Sequence, residues 1–282
     1  MDVDRTSPVG VFDSGIGGLT VVKEMAEHLP GEKIIYFGDT ANVPYGDKPA
    51  AQLIRLADSI VAFLVDQGVK AIVDACNSTS AVALEFLQEH YEVPCVGVID
   101  AGARAALAAT RNGKIGVIAT KATINSQAHK KAAEKMDSRV ELFGQACPMF
   151  VPLVESGKVN SPETIKVAEM YLAPLQEAGI DTLIMGCTHY PFLAPVFKSI
   201  LGDSVTLVDP AVNTVMELKG LLQEQTNEEG TKTLSDHQYF VSGDPVDFKE
   251  VGERLLGVSL GRVTQETLEF MSIKAVKLGN TL

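Results

Sequence analysis

Short apolar runs recur along the chain, and the stretches between them repeat their apolar positions at helical spacing. The runs Val9–Phe12, Ile34–Phe37, Ala71–Ala75, Val93–Val98, Lys114–Ala119, Val140–Phe143, Thr182–Met185, Val205–Asp209 and His237–Val241 predict buried strands. The helical period predicts helices over Leu19–His28, Ala51–Gln67, Ser78–Tyr91, Asp100–Thr110, from Thr123 onward, Ser161–Ala178, Phe192–Leu201, Val212–Gln225 and Pro245–Leu256. Cys147–Pro152 reads as an irregular apolar segment and Asn227–Lys232 as a polar loop. Strands alternating with helices from end to end predict an α/β fold with mainly parallel sheets covered on both faces.

Composition narrows the function classes. Lys and Arg number 24 against 36 Asp and Glu, a net charge of −12. That balance argues against nucleic acid or an anionic membrane as partner. No apolar run is long enough to span a bilayer, and Met1–Pro8 lacks the apolar core of a signal peptide, so a cytoplasmic location is expected. The four cysteines, Cys76, Cys95, Cys147 and Cys187, form no C-x-x-C pair and no zinc-spaced cluster, so no metal and no disulfide is expected.

The informative polar residues sit where strands end. Val9–Phe12 runs into Asp13-Ser14-Gly15-Ile16-Gly17-Gly18, a glycine-rich turn before a helix. The spacing is not that of a dinucleotide fingerprint, and Asp13 would repel a pyrophosphate; the turn suits a small carboxylate instead. Ala71–Ala75 delivers Cys76, and Thr182–Met185 with Gly186 delivers Cys187. Each cysteine closes a strand and precedes a helix, the edge at which open α/β sheets bind ligands. Cys95 and Cys147 lie within apolar segments and read as packing. Thr120 and Thr123 read equally as helix caps, Tyr45 as a loop-packing aromatic, and Glu155 as a solvated charge.

Two similar lobes, each offering one cysteine to a shared cleft, would explain the echo. Two thiols on opposite sides of one carbon can alternate as base and acid, which inverts that carbon. A carbon next to a carboxylate is weakly acidic, so oriented donors must stabilise the carbanion. Asp13 and His189 are the candidates to assist the thiols.

The blocks Asp13-Ser14-Gly15, Pro44-Tyr45-Gly46, Cys76-Asn77 and Gly186-Cys187-Thr188-His189-Tyr190-Pro191 resemble those of glutamate racemases in order and spacing, from about Val9 to Asp209. The resemblance implies two flavodoxin-like lobes, residues 1–98 plus 208–282 and residues 99–207, with the active site in the cleft between them. It implies a cofactor-independent racemase that makes D-glutamate for peptidoglycan, often as a homodimer. Cys187 would deprotonate L-glutamate and Cys76 D-glutamate, assisted by His189 and Asp13 respectively. Asp13, Ser14, Tyr45, Gly46, Asn77, Ser78, Thr188 and His189 would hold the substrate. Thr120 and Thr123 match positions that cradle a carboxylate, and Glu155 matches an acidic residue near the site. The family's C-N-T is here Cys76-Asn77-Ser78 followed by Thr79, so either Ser78 or Thr79 would supply the hydroxyl. None of the blocks holds an Arg or Lys, and the nearest cation is Lys121. Two rivals stand beside this reading: an aspartate racemase, whose relatives resemble G-C-T-E where this chain has His189, and a non-catalytic thiol protein that senses redox state or binds metal.

Overall fold

The computed structural model describes residues 5–222 and 233–268. The expected loop Asn227–Lys232 and the end of the helix expected to reach Gln225 lie outside the described residues. The strands are β1 Val9–Asp13, β2 Ile34–Gly38, β3 Ala71–Asp74, β4 Cys95–Gly97, β5 Lys114–Ala119, β6 Glu141–Ala146, β7 Thr182–Gly186, β8 Thr206–Val208, β9 Gln238–Val241 and β10 Val263–Gln265. They form two sheets, ordered β10-β9-β2-β1-β3-β4 and β6-β5-β7-β8. Every pairing is parallel.

The helices are α1 Leu19–His28, α2 Ala50–Asp66, α3 Asn77–Ser80, α4 Leu84–His90, α5 Val98–Ala109, α6 Lys121–Ser126, α7 Ala128–Met136, α8 Phe150–Glu155, α9 Pro162–Ala178, α10 Ala194–Leu201, α11 Pro210–Leu222 and α12 Pro245–Leu256. Alternate strand residues feed opposite cores, as a period of two requires. In the first sheet Val9, Val11, Tyr36 and Val73 pack with α1 and α11, while Phe12, Phe37 and Ile72 pack with α2 and α4. In the second, Leu183 and Met185 face α9 and α10, and Ile184 faces α5 and α7.

Both sheets share one inner order. β2-β1-β3-β4 and β6-β5-β7-β8 are each second, first, third, fourth. Connections leave the first and third strands of such a sheet in opposite directions, which opens a crevice beyond their carboxyl ends. Asp13 ends β1 and Cys76 lies just past β3; Thr120 and Cys187 follow β5 and β7. The same topological place therefore supplies the chemistry of each sheet.

Several elements differ from the sequence expectation. The helix expected over Ser78–Tyr91 is broken into α3 and α4, because the first turn is tied down to the end of β3. The helix expected from Thr123 starts at Lys121, capped by the Thr120 hydroxyl, and is interrupted at Gln127, whose φ of 56° is left-handed. The segment read as irregular after Cys147 contains α8, which ends on Glu155. The helix expected at Phe192 begins as a tight turn over Tyr190–Leu193 and becomes α-helical at Ala194. β10 is not among the expected strands. Among the described residues no helix is long and apolar enough to cross a membrane.

Two buried histidines make stability acid-sensitive. Burial lowers His129 and His237 to about 4 each, and His129 Nε2 and both ring nitrogens of His237 lack hydrogen-bond partners. A depressed folded-state value favours the fold above the unfolded value near 6.5 and loses that advantage as pH falls through about 4. We expect the unfolding free energy to fall between about pH 6.5 and 4, by up to roughly 3 kcal/mol per histidine, and the Tm to fall with it. Thermal melts of His129→Gln should show a weaker acid dependence than the parent.

Candidate active site

The carboxyl ends of the two sheets face one cavity of about 350 Å³. Its wall includes Asp13, Ser14, Tyr45, Gly46, Cys76 and Asn77 from the first sheet's side. Thr120, Glu155, Cys187, Thr188 and His189 come from the second, and Ser78 completes the wall from α3. Thr79 and Thr123 are not in the wall. Adjacent residues of a helix point about 100° apart, so as Ser78 turns to the cavity Thr79 turns beneath it. There the Thr79 hydroxyl donates to Asp74 Oδ1 at 2.6 Å. Thr123 lies behind Thr120, with their hydroxyl oxygens 3.1 Å apart and Ser78 Oγ 3.0 Å from Thr120.

Asp13 is fully buried. Its Oδ2 accepts from the Gly18 N–H at 2.8 Å and from the Thr188 hydroxyl at 3.3 Å, while Oδ1 has no partner. The glycines of this turn are required by contact. A Cβ on Gly17 would lie 2.2 Å from Thr188 Oγ1 and 2.5 Å from His189 Nδ1, and one on Gly18 would lie 2.6 Å from Asp13 Cβ. Gly46 meets Thr120 similarly, at 2.9 Å, and its carbonyl accepts from Ala122 N–H. These contacts stitch the two halves of the cavity together. Arg254 of α12, unremarked in the sequence, adds another by donating to the Glu155 carbonyl at 3.0 Å.

The two thiols have unlike surroundings. Cys76 has acids for company. Burial, then the charges of Asp13 and Asp74, push its thiol well above the usual range. Cys187 Sγ lies 3.9 Å from His189 Nδ1, and His189 Nε2 lies 3.1 Å from Glu155 Oε1. Burial alone would disfavour the imidazolium, but hydrogen bonds to Cys187 and Glu155 outweigh it and raise His189 to about 10. His189 is thus a buried ring rather than a solvent-facing one, and Glu155, partly exposed, is its hydrogen-bond partner. Cys95 and Cys147 are outside the cavity wall, and burial pushes the Cys95 thiol up to about 12. Tyr45 is held by Asp39, whose Oδ2 accepts its hydroxyl at 2.5 Å and whose Oδ1 accepts from Ser242 at 2.6 Å. Lys121, at the rim, pairs with Asp47 at 3.4 Å and is the only Lys or Arg among the described wall residues.

A sequence model of the Asp/Glu/hydantoin racemases matches residues 10–218. The chain is 47% identical to the glutamate racemase of Geobacter metallireducens over 93% of its own length and 97% of the relative's. The chain belongs to this racemase family, among its glutamate racemases. The fold agrees. A glutamate racemase from Francisella tularensis, solved with D-glutamate, superposes with a TM-score of 0.85 at 38% identity, covering 95% of this chain and 99% of that one. An isoform from Bacillus anthracis gives 0.88 at 37% identity, covering 94% and 98%.

In this racemase the Glu155 carboxylate helps keep His189 protonated. Glu155→Gln keeps the shape and removes that charge, so His189 should lose its proton at lower pH. We expect the His189 titration to move down by about one pH unit. Imidazole NMR from pH 6 to 11 checks this; an unmoved titration would mean that Glu155 does not act on His189.

Proposed function

We propose that this racemase interconverts L- and D-glutamate without a cofactor, using Cys76 and Cys187 as opposed bases, and so supplies D-glutamate for peptidoglycan. One observation carries the reading: each sheet sends one thiol to the same cavity from the same topological place, Cys76 beside acids and Cys187 beside the His189 imidazole.

For L-glutamate, Cys187 takes the Cα proton, and the electron pair left on carbon delocalises into the α-carboxylate. Cys76 then gives its S–H proton to the opposite face, and D-glutamate results with the thiols' roles exchanged. His189, bonded to Glu155 through Nε2, stands 3.9 Å from the Cys187 sulfur, where its imidazole can stabilise negative charge that forms during abstraction. Cys76, among acids, is suited to hold the proton. The α-ammonium of the substrate would satisfy Asp13 Oδ1 and Asn77 Oδ1, both buried acceptors without a partner. The hydroxyls of Ser78 and Thr120, backed by Thr123, with Ser14, Tyr45, Gly46 and Thr188, would hold the carboxylates. Thr79, turned onto Asp74, is left out of that set.

The test is purified protein with L-glutamate in D₂O and no added cofactor, followed by mass spectrometry of the separated enantiomers. Deuterium should reach the α-carbon of D-glutamate before it reaches the remaining L-glutamate. Deuterium entering the L pool as fast as D-glutamate forms would rule out opposed bases. Turnover confined to a parallel aspartate sample would move the substrate to aspartate.

A further inference from the structure

Asp74 is a carboxyl that the proposed reaction does not use. It stands at the end of β3, fully buried, two residues before Cys76. Its Oδ1 accepts two hydrogen bonds, from the Cys76 N–H at 3.1 Å and the Thr79 hydroxyl at 2.6 Å. The same Thr79 hydroxyl also lies 3.1 Å from the Cys76 carbonyl. The carboxyl thus ties the Cys76 N–H to the Thr79 hydroxyl of α3, while the Cys76 C=O accepts from the Ser80 N–H at 2.9 Å. Oδ2 is buried and has no hydrogen-bond partner among the described residues. A buried carboxyl with one oxygen unsatisfied destabilises a fold.

We propose that Asp74 is a positioning residue for Cys76: its carboxyl, accepting from the Cys76 N–H and the Thr79 hydroxyl, fixes the turn that aims the thiol and stands as the acid nearest to it in sequence. This rests on Cys76 being the thiol that serves the D face. The charge environment supports it. Asp13 from β1 faces both Asp74 and Cys76; Tyr36 from β2 and Tyr45 from the loop after it face Cys76; Cys95 from β4 faces Asp74. Across the cavity stand Cys187, His189 and Glu155. No Lys or Arg belongs to this set. The acids oppose one another's ionisation, so Asp74 and Cys76 compete to stay protonated. Burial is the largest cause of the upward push on both groups, and hydrogen bonds from Thr79 favour the charged form of each.

The reading can be taken directly at the sulfur. Wild type and Asp74→Asn are treated with iodoacetamide from pH 6 to 11, and alkylation of Cys76 and Cys187 is followed by peptide mass spectrometry. Only the thiolate reacts. In Asp74→Asn the Cys76 profile should move to lower pH, with roughly a three- to tenfold faster reaction at pH 8, while the Cys187 profile stays put. Asp74→Leu, which removes the carboxyl and its charge while keeping the Thr79 hydroxyl, should move Cys76 the same way. It also serves if Asp74→Asn does not fold. A Cys76 profile unmoved in the folded variants, or one that moves together with Cys187, overturns the proposal. The alkylation rate does not depend on turnover, so the two ideas separate. Cys76→Ala racemising normally would remove Cys76 from the reaction, whereas an unmoved Cys76 profile beside an inactive Cys76→Ala would remove only Asp74.

Discussion

Cys76→Ala and Cys187→Ala should each lose at least about 10³-fold in kcat for racemisation. The size follows from where the thiols sit. A positioned acid or base contributes about 10² to 10⁴ to a proton transfer, and water cannot easily replace either one. Cys76 and Cys187 are 5% and 7% exposed, and no other cysteine is in the cavity wall. Loss of one thiol removes either abstraction from one face or delivery to the other, and inversion needs both. Polarimetry on each enantiomer gives the rates, and circular dichroism of the variants verifies the fold. Either variant racemising at the parent rate would sink the opposed-thiol mechanism.

The second large effect concerns a residue with no side chain. Gly17→Ala should reduce kcat/KM by about 10²-fold and destabilise the protein by about 1–3 kcal/mol. Its new Cβ has no room: Thr188 Oγ1 and His189 Nδ1 would lie at 2.2 and 2.5 Å. Both are buried, and both belong to the turn that presents Cys187. The turn must shift, and with it the angle at which that thiol meets a substrate. Gly220→Ala is the matched control. Gly220 lies in α11, where an added Cβ would meet nothing within 4 Å, so it should keep activity and gain a few tenths of a kcal/mol to about 1. Equal activity in the two variants would show that the glycine turn does not constrain the thiol.

Much of the architecture was legible because strand and helix periods differ so plainly. The strand-end placement of Asp13, Cys76, Thr120 and Cys187 was readable for the same reason: once strands are located, so are their carboxyl ends. Other features depend on relations the sequence does not display. The break at Gln127 sits on a residue that rarely adopts a positive φ, so no glycine marks it. β10 is three residues long and gains its identity only by pairing with β9. Whether Ser78 or Thr79 faces the cavity depends on where α3 begins, and one residue of offset reverses the answer. Asp74 stood inside an apolar strand in plain sight. An acid at such a position was the available signal, and its meaning needed the partners that only folding supplies. The partnership of Glu155 with His189 joins residues far apart in sequence, so spacing could not announce it.

The unequal company of the two thiols has a thermodynamic consequence. Mirror-image amino acids have the same free energy in achiral water, so the equilibrium constant between them is one. For any catalyst of their exchange the ratio of forward to reverse kcat/KM is therefore also one, at every pH and in every variant. Carboxylates around Cys76 and an imidazolium beside Cys187 cannot bias the outcome. They can only divide the same specificity constant differently, giving one enantiomer tighter binding with slower turnover and its mirror image the reverse.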